Sequence, residues 1–146
     1  MKDESTILDT KPLIKLFAKG DGWEAVQRIL SKAEAGEIEA SISVVTLTEI
    51  YFRYVQEKMP ELAKARIEQL RYATYPEKLE IGKDVALMAG KFKGKYNVPV
   101  ADAFIAATAY FEGSIVISGD MGFKRIFGVK AFTEMEFITH ILGANK

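Results

Sequence analysis

An α/β domain built on a central parallel sheet is what this sequence predicts, and three observations lead there. Short runs of β-forming residues alternate with longer stretches of helical periodicity, the pattern of parallel strands joined by crossover helices. No internal repeat, linker or low-complexity tract interrupts the alternation. The 146 residues suit one domain spanning 1–146, and a chain of this size buries roughly 68–70% of the surface its unfolded form would expose, so no staple is required.

The elements follow in order. Ser5 to Leu8 is a short apolar strand ending in Asp9-Thr10. Pro12 fits the first turn of a helix over Leu13 to Ala18, since its missing N–H costs nothing there. Gly20-Asp21-Gly22 breaks the chain, and Trp23, Val26, Ile29 and Leu30 then recur at helical spacing, giving an amphipathic helix from Trp23 to Ala35 closed by Gly36. Ile38 to Val45 is the second strand. Thr46 opens a long helix through Tyr51 and Val55, Pro60 interrupts, and a further helix from Glu61 to Tyr72 completes a helical hairpin. Leu79 to Ile81 is a brief strand and Asp84 to Lys95 a helix. After Pro99, the small residues of Ala101 to Phe111 form a tightly packing helix. Ser114 to Ile117 is a strand, Ser118-Gly119-Asp120 a turn, Val129 to Phe132 a last strand, and Glu134 to Leu142 a closing helix.

Composition narrows the functions. Hydrophobic residues make up 49% and charged residues 27%, a globular mixture. With no cysteine, a disulfide framework, a thiolate metal site and a cysteine nucleophile are all excluded. The start, Met1-Lys2-Asp3-Glu4, is unlike a signal peptide. The run Ala103 to Phe111 is far too short to span a bilayer. The expectation is therefore a soluble, cytoplasmic protein with no membrane partner. Lysine plus arginine equal aspartate plus glutamate at 20 each, which argues against strong non-specific attraction to nucleic acid, though not against an enzyme that meets phosphate through a metal ion.

Direction along the sheet groups four acids. In a parallel sheet, strand C-termini and the N-termini of the following helices share one edge. Asp9 follows the first strand, Glu49 falls in the first turn of the helix after the second, Asp102 opens the helix leading to the fourth, and Asp120 follows the fourth. All four are thus expected at the carboxyl edge, where open α/β sheets bind ligands at the point of strand-order reversal. Each acid also has an ordinary reading. Thr46-Leu47-Thr48-Glu49 matches a capping box, Asp102 suits a helix dipole, and Asp9 and Asp120 suit turns or caps. As a group, they would repel and raise one another's pKa values. A divalent cation removes that penalty, and all-oxygen ligands favour Mg²⁺ or Mn²⁺ over zinc. Such a site reads as one for phosphodiester hydrolysis.

At these residues the sequence resembles the PIN-domain family, and within it the VapC-type toxins. The matching pieces are Ile7-Leu8-Asp9-Thr10 with Leu13-Ile14, then Thr48-Glu49-Ile50, then Pro99-Val100-Ala101-Asp102-Ala103-Phe104-Ile105-Ala106-Ala107-Thr108-Ala109, and finally Ile117-Ser118-Gly119-Asp120 with Phe123. They cover essentially the whole chain, and the Asp102 segment is the most specific. The resemblance implies a three-layer α/β/α PIN-like fold with a parallel sheet and Mg²⁺- or Mn²⁺-dependent cleavage of single-stranded or structured RNA. In the toxin branch it also implies a homodimer silenced by a small antitoxin protein. It implies that Asp9, Glu49, Asp102 and Asp120 are catalytic, metal-site carboxylates, and that Thr10 and Ser118 orient a carboxylate or a bound water. Two departures stand out. The family usually has a small polar residue where this chain has Lys11, which is expected to contact substrate phosphate or to occupy the metal site in the ion's absence. Many relatives carry a further aspartate where this chain has Gly122, which favours one held ion over two.

Other features carry less. His140, the only histidine, is far in sequence from every carboxylate and reads as a surface or cap residue, so no serine–histidine–acid triad is supported. Tyr51, Tyr54 and Val55, with Phe52 beside them, read as core and interface rather than a base-stacking platform, and Trp23 likewise. Exposed, these faces would suit a dimer contact or an antitoxin segment. Lys11, Arg53 and Lys124-Arg125 are candidate phosphate contacts against a default of solvated surface. Two alternatives to the nuclease stay open. One is a catalytically weak or inactive PIN-fold module binding RNA or protein. The other is a phosphatase of the haloacid dehalogenase type, which needs a second acid where Lys11 stands.

Overall fold

The computed structural model describes residues 4–144. Met1-Lys2-Asp3 and residues 145–146 lie outside the described residues, as do the side chains of 142–144. The elements in chain order are β1 (Glu4–Leu8), α1 (Thr10–Ala18), α2 (Trp23–Glu34), β2 (Ile38–Ser43), α3 (Val44–Gln56), α4 (Pro60–Tyr72), β3 (Glu77–Leu79), α5 (Lys83–Tyr96), α6 (Val100–Glu112), β4 (Ile115–Ile117), a 3₁₀ turn (Met121–Arg125), β5 (Ala131–Phe132) and α7 (Glu134–Ala144).

The strands form one parallel sheet in the order β3-β2-β1-β4-β5. β1 sits at its centre, with Ile7 opposite Ser41 of β2 on one side and Val116 of β4 on the other. Period-two alternation sends successive side chains to opposite faces. Leu8, Ile115 and Ile117 enter a core shared with α1 to α4 and α7, and Ile7 and Val116 enter a second core under α5, α6 and the 3₁₀ turn. The sheet is thus the middle layer of three, the α/β/α arrangement expected. Ile7, Ile42 and Ile117 are fully buried, each stabilising the fold by roughly 1.5–3 kcal/mol. No helix among the described residues is long and apolar enough to cross a membrane.

Local signals account for the helices. In α2, Ala25, Val26, Ile29 and Ala33 are buried while Glu24, Gln27 and Arg28 face solvent. In α6, Ala103 and the run from Ile105 to Ala109 are buried, and small side chains let α5 and the sheet approach closely. Gly113 ends α6 at φ 65, a left-handed position that a β-carbon disfavours. Lys15 on α1 meets the buried Glu134 at the head of α7 at 2.7 Å.

Several boundaries differ from the sequence reading, α1 opening at Thr10 rather than Leu13 among them. The second strand stops at Ser43, not Val45, because the Ser43 hydroxyl caps α3 by accepting from Val45 N–H at 3.2 Å. Thr46 consequently lies inside α3 rather than opening it, and Glu49 falls in the second turn, not the first. The third strand is Glu77–Leu79, two residues earlier than expected, since it ends where Leu79 pairs with Ser43. The last strand begins at Ala131 rather than Val129.

Candidate active site at the carboxyl edge of the sheet

Asp9, the residue after β1, is buried at the centre of the site. Its backbone N–H donates to Ile117 O of β4 at 3.0 Å, fixing the chain where β1 ends. One carboxylate oxygen, Oδ1, accepts from Thr10 N–H at 2.8 Å, and Oδ2 accepts from Ser118 Oγ at 2.7 Å. The capping role foreseen for Asp9 is therefore real but occupies only one oxygen. Ser118 also accepts from Asp120 N–H at 2.9 Å, and Asp120 Oδ1 accepts from Gly122 N–H at 2.8 Å. One hydroxyl thus ties the two acids that flank the strand-order switch between β1 and β4.

Glu49 is held differently. Its Oε1 accepts from Thr10 Oγ1, and Thr10 Oγ1 lies 3.2 Å from Thr46 Oγ1. A threonine hydroxyl carries one proton. That single proton can go to Glu49 Oε1 or to Thr46 Oγ1, both within reach of Thr10 Oγ1. The capping-box reading of Glu49 does not hold, because Thr46 lies within α3 and Glu49 reaches across to α1. Thr46, fully buried, is the supporting residue that sequence reasoning missed. Its signal was a threonine three residues before Glu49, which pointed to a cap.

Asp102 stands in the first turn of α6, after Pro99. Asp9, Thr10, Lys11, Ile14, Glu49, Asp102 and Asp120 line a single cleft of about 310 Å³. All four predicted acids therefore share it, as do Lys11 and Arg53. Lys124 does not; it pairs with Glu136 at 2.7 Å. Arg125 turns toward Tyr96 O. His140 meets Glu4 at 3.0 Å, away from the cleft. Phe52, Gln56 and Pro99 complete the lining. Phe52 was expected in core or interface, whereas Tyr54 alone of that stripe is buried.

The electrostatics follow from the crowding. Burial pushes the Asp9 carboxyl above its ordinary value, with hydrogen bonds from Ser118 and Thr10 opposing, Asp120 adding to the rise and Lys11 opposing it. Burial raises Glu49 too, against the hydrogen bond from Thr10; Asp9 adds to the rise and Lys11 opposes it. Asp102 is pushed up to about 7, first by burial, then by the charge of Asp9, by hydrogen bonding with Asp120, and by the charges of Asp120 and Glu49. The charge of Lys11 thus eases the crowding at Asp9 and at Glu49.

A divalent ion fits this donor set on chemical grounds. The acid and hydroxyl oxygens suit a hard cation. Among the described residues, no three His, Cys, Asp or Glu side chains are gathered closely enough to hold an ion by themselves. An open site is what Mg²⁺ uses when it keeps waters and is completed by substrate phosphate. Gly122 has a steric side as well: a β-carbon there would stand 3.1 Å from Asp120 Oδ1, so a larger residue would press on that carboxylate.

Comparisons with known proteins place this geometry. The family model for the PIN domain matches residues 6–128. The chain is 33% identical over 100 residues to ribonuclease VapC4 of Mycobacterium tuberculosis, covering 65% of this chain and 77% of that one. Among solved structures, VapBC2 from Rickettsia felis bound to a promoter DNA fragment superposes with a TM-score of 0.71 at 16% identity, covering 88% of this chain and 98% of that one. DNA-bound VapBC from Salmonella typhimurium gives 0.71 at 20% identity, covering 90% and 98%. FitAcB from Neisseria gonorrhoeae gives 0.66 at 21%, covering 89% and 98%. At these identities the structural likenesses speak to the fold.

Proposed function

The chain belongs to the PIN domain family, and from that premise we propose that it is a Mg²⁺- or Mn²⁺-dependent endoribonuclease, acting as the toxin of a toxin–antitoxin pair. The observation that carries the reading is the convergence of Asp9, Glu49, Asp102 and Asp120 on one cleft, with hydroxyls bonded to Asp9 and Glu49. Its relative VapC4 is named a ribonuclease.

Asp9, Glu49, Asp102 and Asp120 are the residues that would hold the ion, and a bound divalent cation supplies a lowered water pKa and a clamp on phosphate oxygens. The chain's own residues do the rest. Ser118 and the Thr10 N–H each hold one oxygen of Asp9 and so fix its carboxylate. Thr10, backed by Thr46, fixes Glu49 from across the cleft. Asp102, whose carboxyl is pushed up to about 7 by burial and its acidic neighbours in the metal-free cleft, must be ionised to hold the ion, so cation binding there is coupled to proton release. Lys11 and Arg53 bring cations to a cleft lined by four acids, where an approaching phosphate needs them.

The test is cleavage of a labelled structured RNA by purified wild type and Asp102→Asn, with Mn²⁺ and with EDTA. Expected is metal-dependent cleavage that falls at least on the order of 10²-fold in the variant. Cleavage that persists in EDTA or in Asp102→Asn would overturn the assignment. Turnover absent from well-folded wild type would favour the binding-module reading, with Lys11 and Gly122 as the residues to explain. Solved structures similar to the chain include toxin–antitoxin assemblies, and by that likeness a small antitoxin protein is the proposed partner; a homodimer is proposed from the resemblance to the toxin branch of the family.

A further inference from the structure

We propose that Phe52 is a substrate-positioning platform on which a base beside the scissile phosphate stacks, so that the cleft takes RNA in which that base is unpaired. The proposal rests on the nuclease reading above. Phe52 lies on α3 three residues beyond Glu49, and positions i and i+3 of a helix are neighbours, about 5–6 Å apart at their β-carbons. It lines the same cleft as the four acids, yet the residue is 62% exposed. On the same helix Ile50 and Tyr54 turn into the core while Tyr51 and Val55 are exposed with Phe52, so Phe52 lies on the open face of a packed helix.

The neighbouring groups favour a nucleotide. Besides the four acids, the cleft is lined by the apolar Ile14 and Pro99 and by three polar or cationic groups, Lys11, Arg53 and Gln56. A phosphate that meets these acids through a bound cation would carry its ribose and base along the same lining, of which the Phe52 ring is a part. Every base has a matching face, so stacking is tolerant of sequence but demands an unstacked, unpaired base. A base locked in a duplex cannot reach the ring. Arg53 is held at the rim by Glu57 at 3.1 Å, beside Phe52, and its guanidinium suits the adjoining phosphate.

The experiment combines kinetics with a stacking probe. Wild type, Phe52→Ala, Phe52→Leu and Phe52→Tyr are compared on a short single-stranded RNA and on the same RNA annealed to its complement. Expected for Ala and Leu is a KM raised roughly 5- to 150-fold on the single strand with kcat within a factor of about two, and near-wild-type kinetics for Tyr, because removing uniform binding raises KM alone. The duplex should be a poor substrate for all four. In parallel, the single strand carrying 2-aminopurine is bound to Asp102→Asn with and without the Phe52 changes. Quenching that needs an aromatic at position 52 is expected. Wild-type kinetics in Phe52→Leu, or quenching that survives Phe52→Ala, would overturn the proposal, as would a variant that loses only affinity for a protein partner. If wild type cleaves nothing, the nuclease reading fails while the quenching experiment still decides the stacking.

Discussion

Ser118 shows how much of the site rests on single hydroxyls. It donates to Asp9 and accepts from the backbone of Asp120, so it sets the separation of the two acids on either side of the sheet's switch point. Ser118→Ala keeps the fold and both carboxylates but frees Asp9 to rotate. Groups that orient metal-binding side chains typically carry 10- to 100-fold in affinity or activity. We expect Mn²⁺-dependent cleavage by Ser118→Ala to fall within about that range, recovering partly at high Mn²⁺; a variant as active as wild type at limiting Mn²⁺ would remove Ser118 from the site. Asp9, Asp102 and Asp120 were legible as candidates because strand ends and helix starts are readable from periodicity, whereas Thr10 and Ser118 were candidates through the family resemblance. Thr46 was not. Its role depends on a contact with Thr10 thirty-six positions away, which no local pattern reports. Phe52, read as core or interface, is exposed at the cleft: helical spacing places it beside core residues, and only the packed structure shows which face of α3 the cleft occupies.

At the scale of elements, α3 is the instructive one. The stretch Ser43-Val44-Val45-Thr46 offers two possible N-caps, and Val44-Val45 are β-branched residues that favour a strand. The local sequence therefore extends β2 and starts the helix at Thr46. Ser43 prevails because β2 has no further partner beyond the pair Ser43–Leu79, and its hydroxyl takes the Val45 N–H. Starting α3 earlier puts Glu49 one turn deeper, within reach of Thr10. Ser43→Ala should destabilise the protein by about 1 kcal/mol through loss of the cap, read as a lower denaturant midpoint at unchanged slope. No loss of stability would mean that the cap is incidental. A second test concerns Lys58, which joins α3 to α4 at φ 63. A β-branched residue is costly in that region, so Lys58→Val should lower the melting temperature while Lys58→Gly does not; equal effects would argue against strain at this turn.

The whole molecule carries the electrostatic cost of the site. Asp9, Glu49 and Asp102 all have folded-state values raised above their ordinary 3.8, 4.5 and 3.8. The folded protein thus binds these protons more tightly than the unfolded chain does. That contribution to stability is fully present below the ordinary values and is lost as pH rises through the folded-state ones, for Asp102 up to about 7. The metal-free protein should therefore lose part of its stability between about pH 4 and 7, and Mn²⁺ at pH 8 should restore it, since a ligand of the folded state stabilises by mass action. Asp102→Asn should melt higher than wild type at pH 8 without metal and gain less from Mn²⁺. Each 1 kcal/mol corresponds to roughly 2–4 °C at this chain length. An Asp102→Asn protein that melts no higher at pH 8 would refute this account of crowding.

The sequence by itself determined the α/β class, the order of the elements and the edge on which the four acids fall, because hydrophobic period and chain direction are local properties that a parallel sheet converts into position. The tertiary structure decided what no period encodes: the strand order β3-β2-β1-β4-β5 that brings Asp9 beside Asp120, the hydroxyl bonds that aim Asp9 and Glu49, and the exposure of Phe52 at the cleft. These depend on contacts between residues far apart in the chain, and such contacts exist only once the sheet has chosen its neighbours.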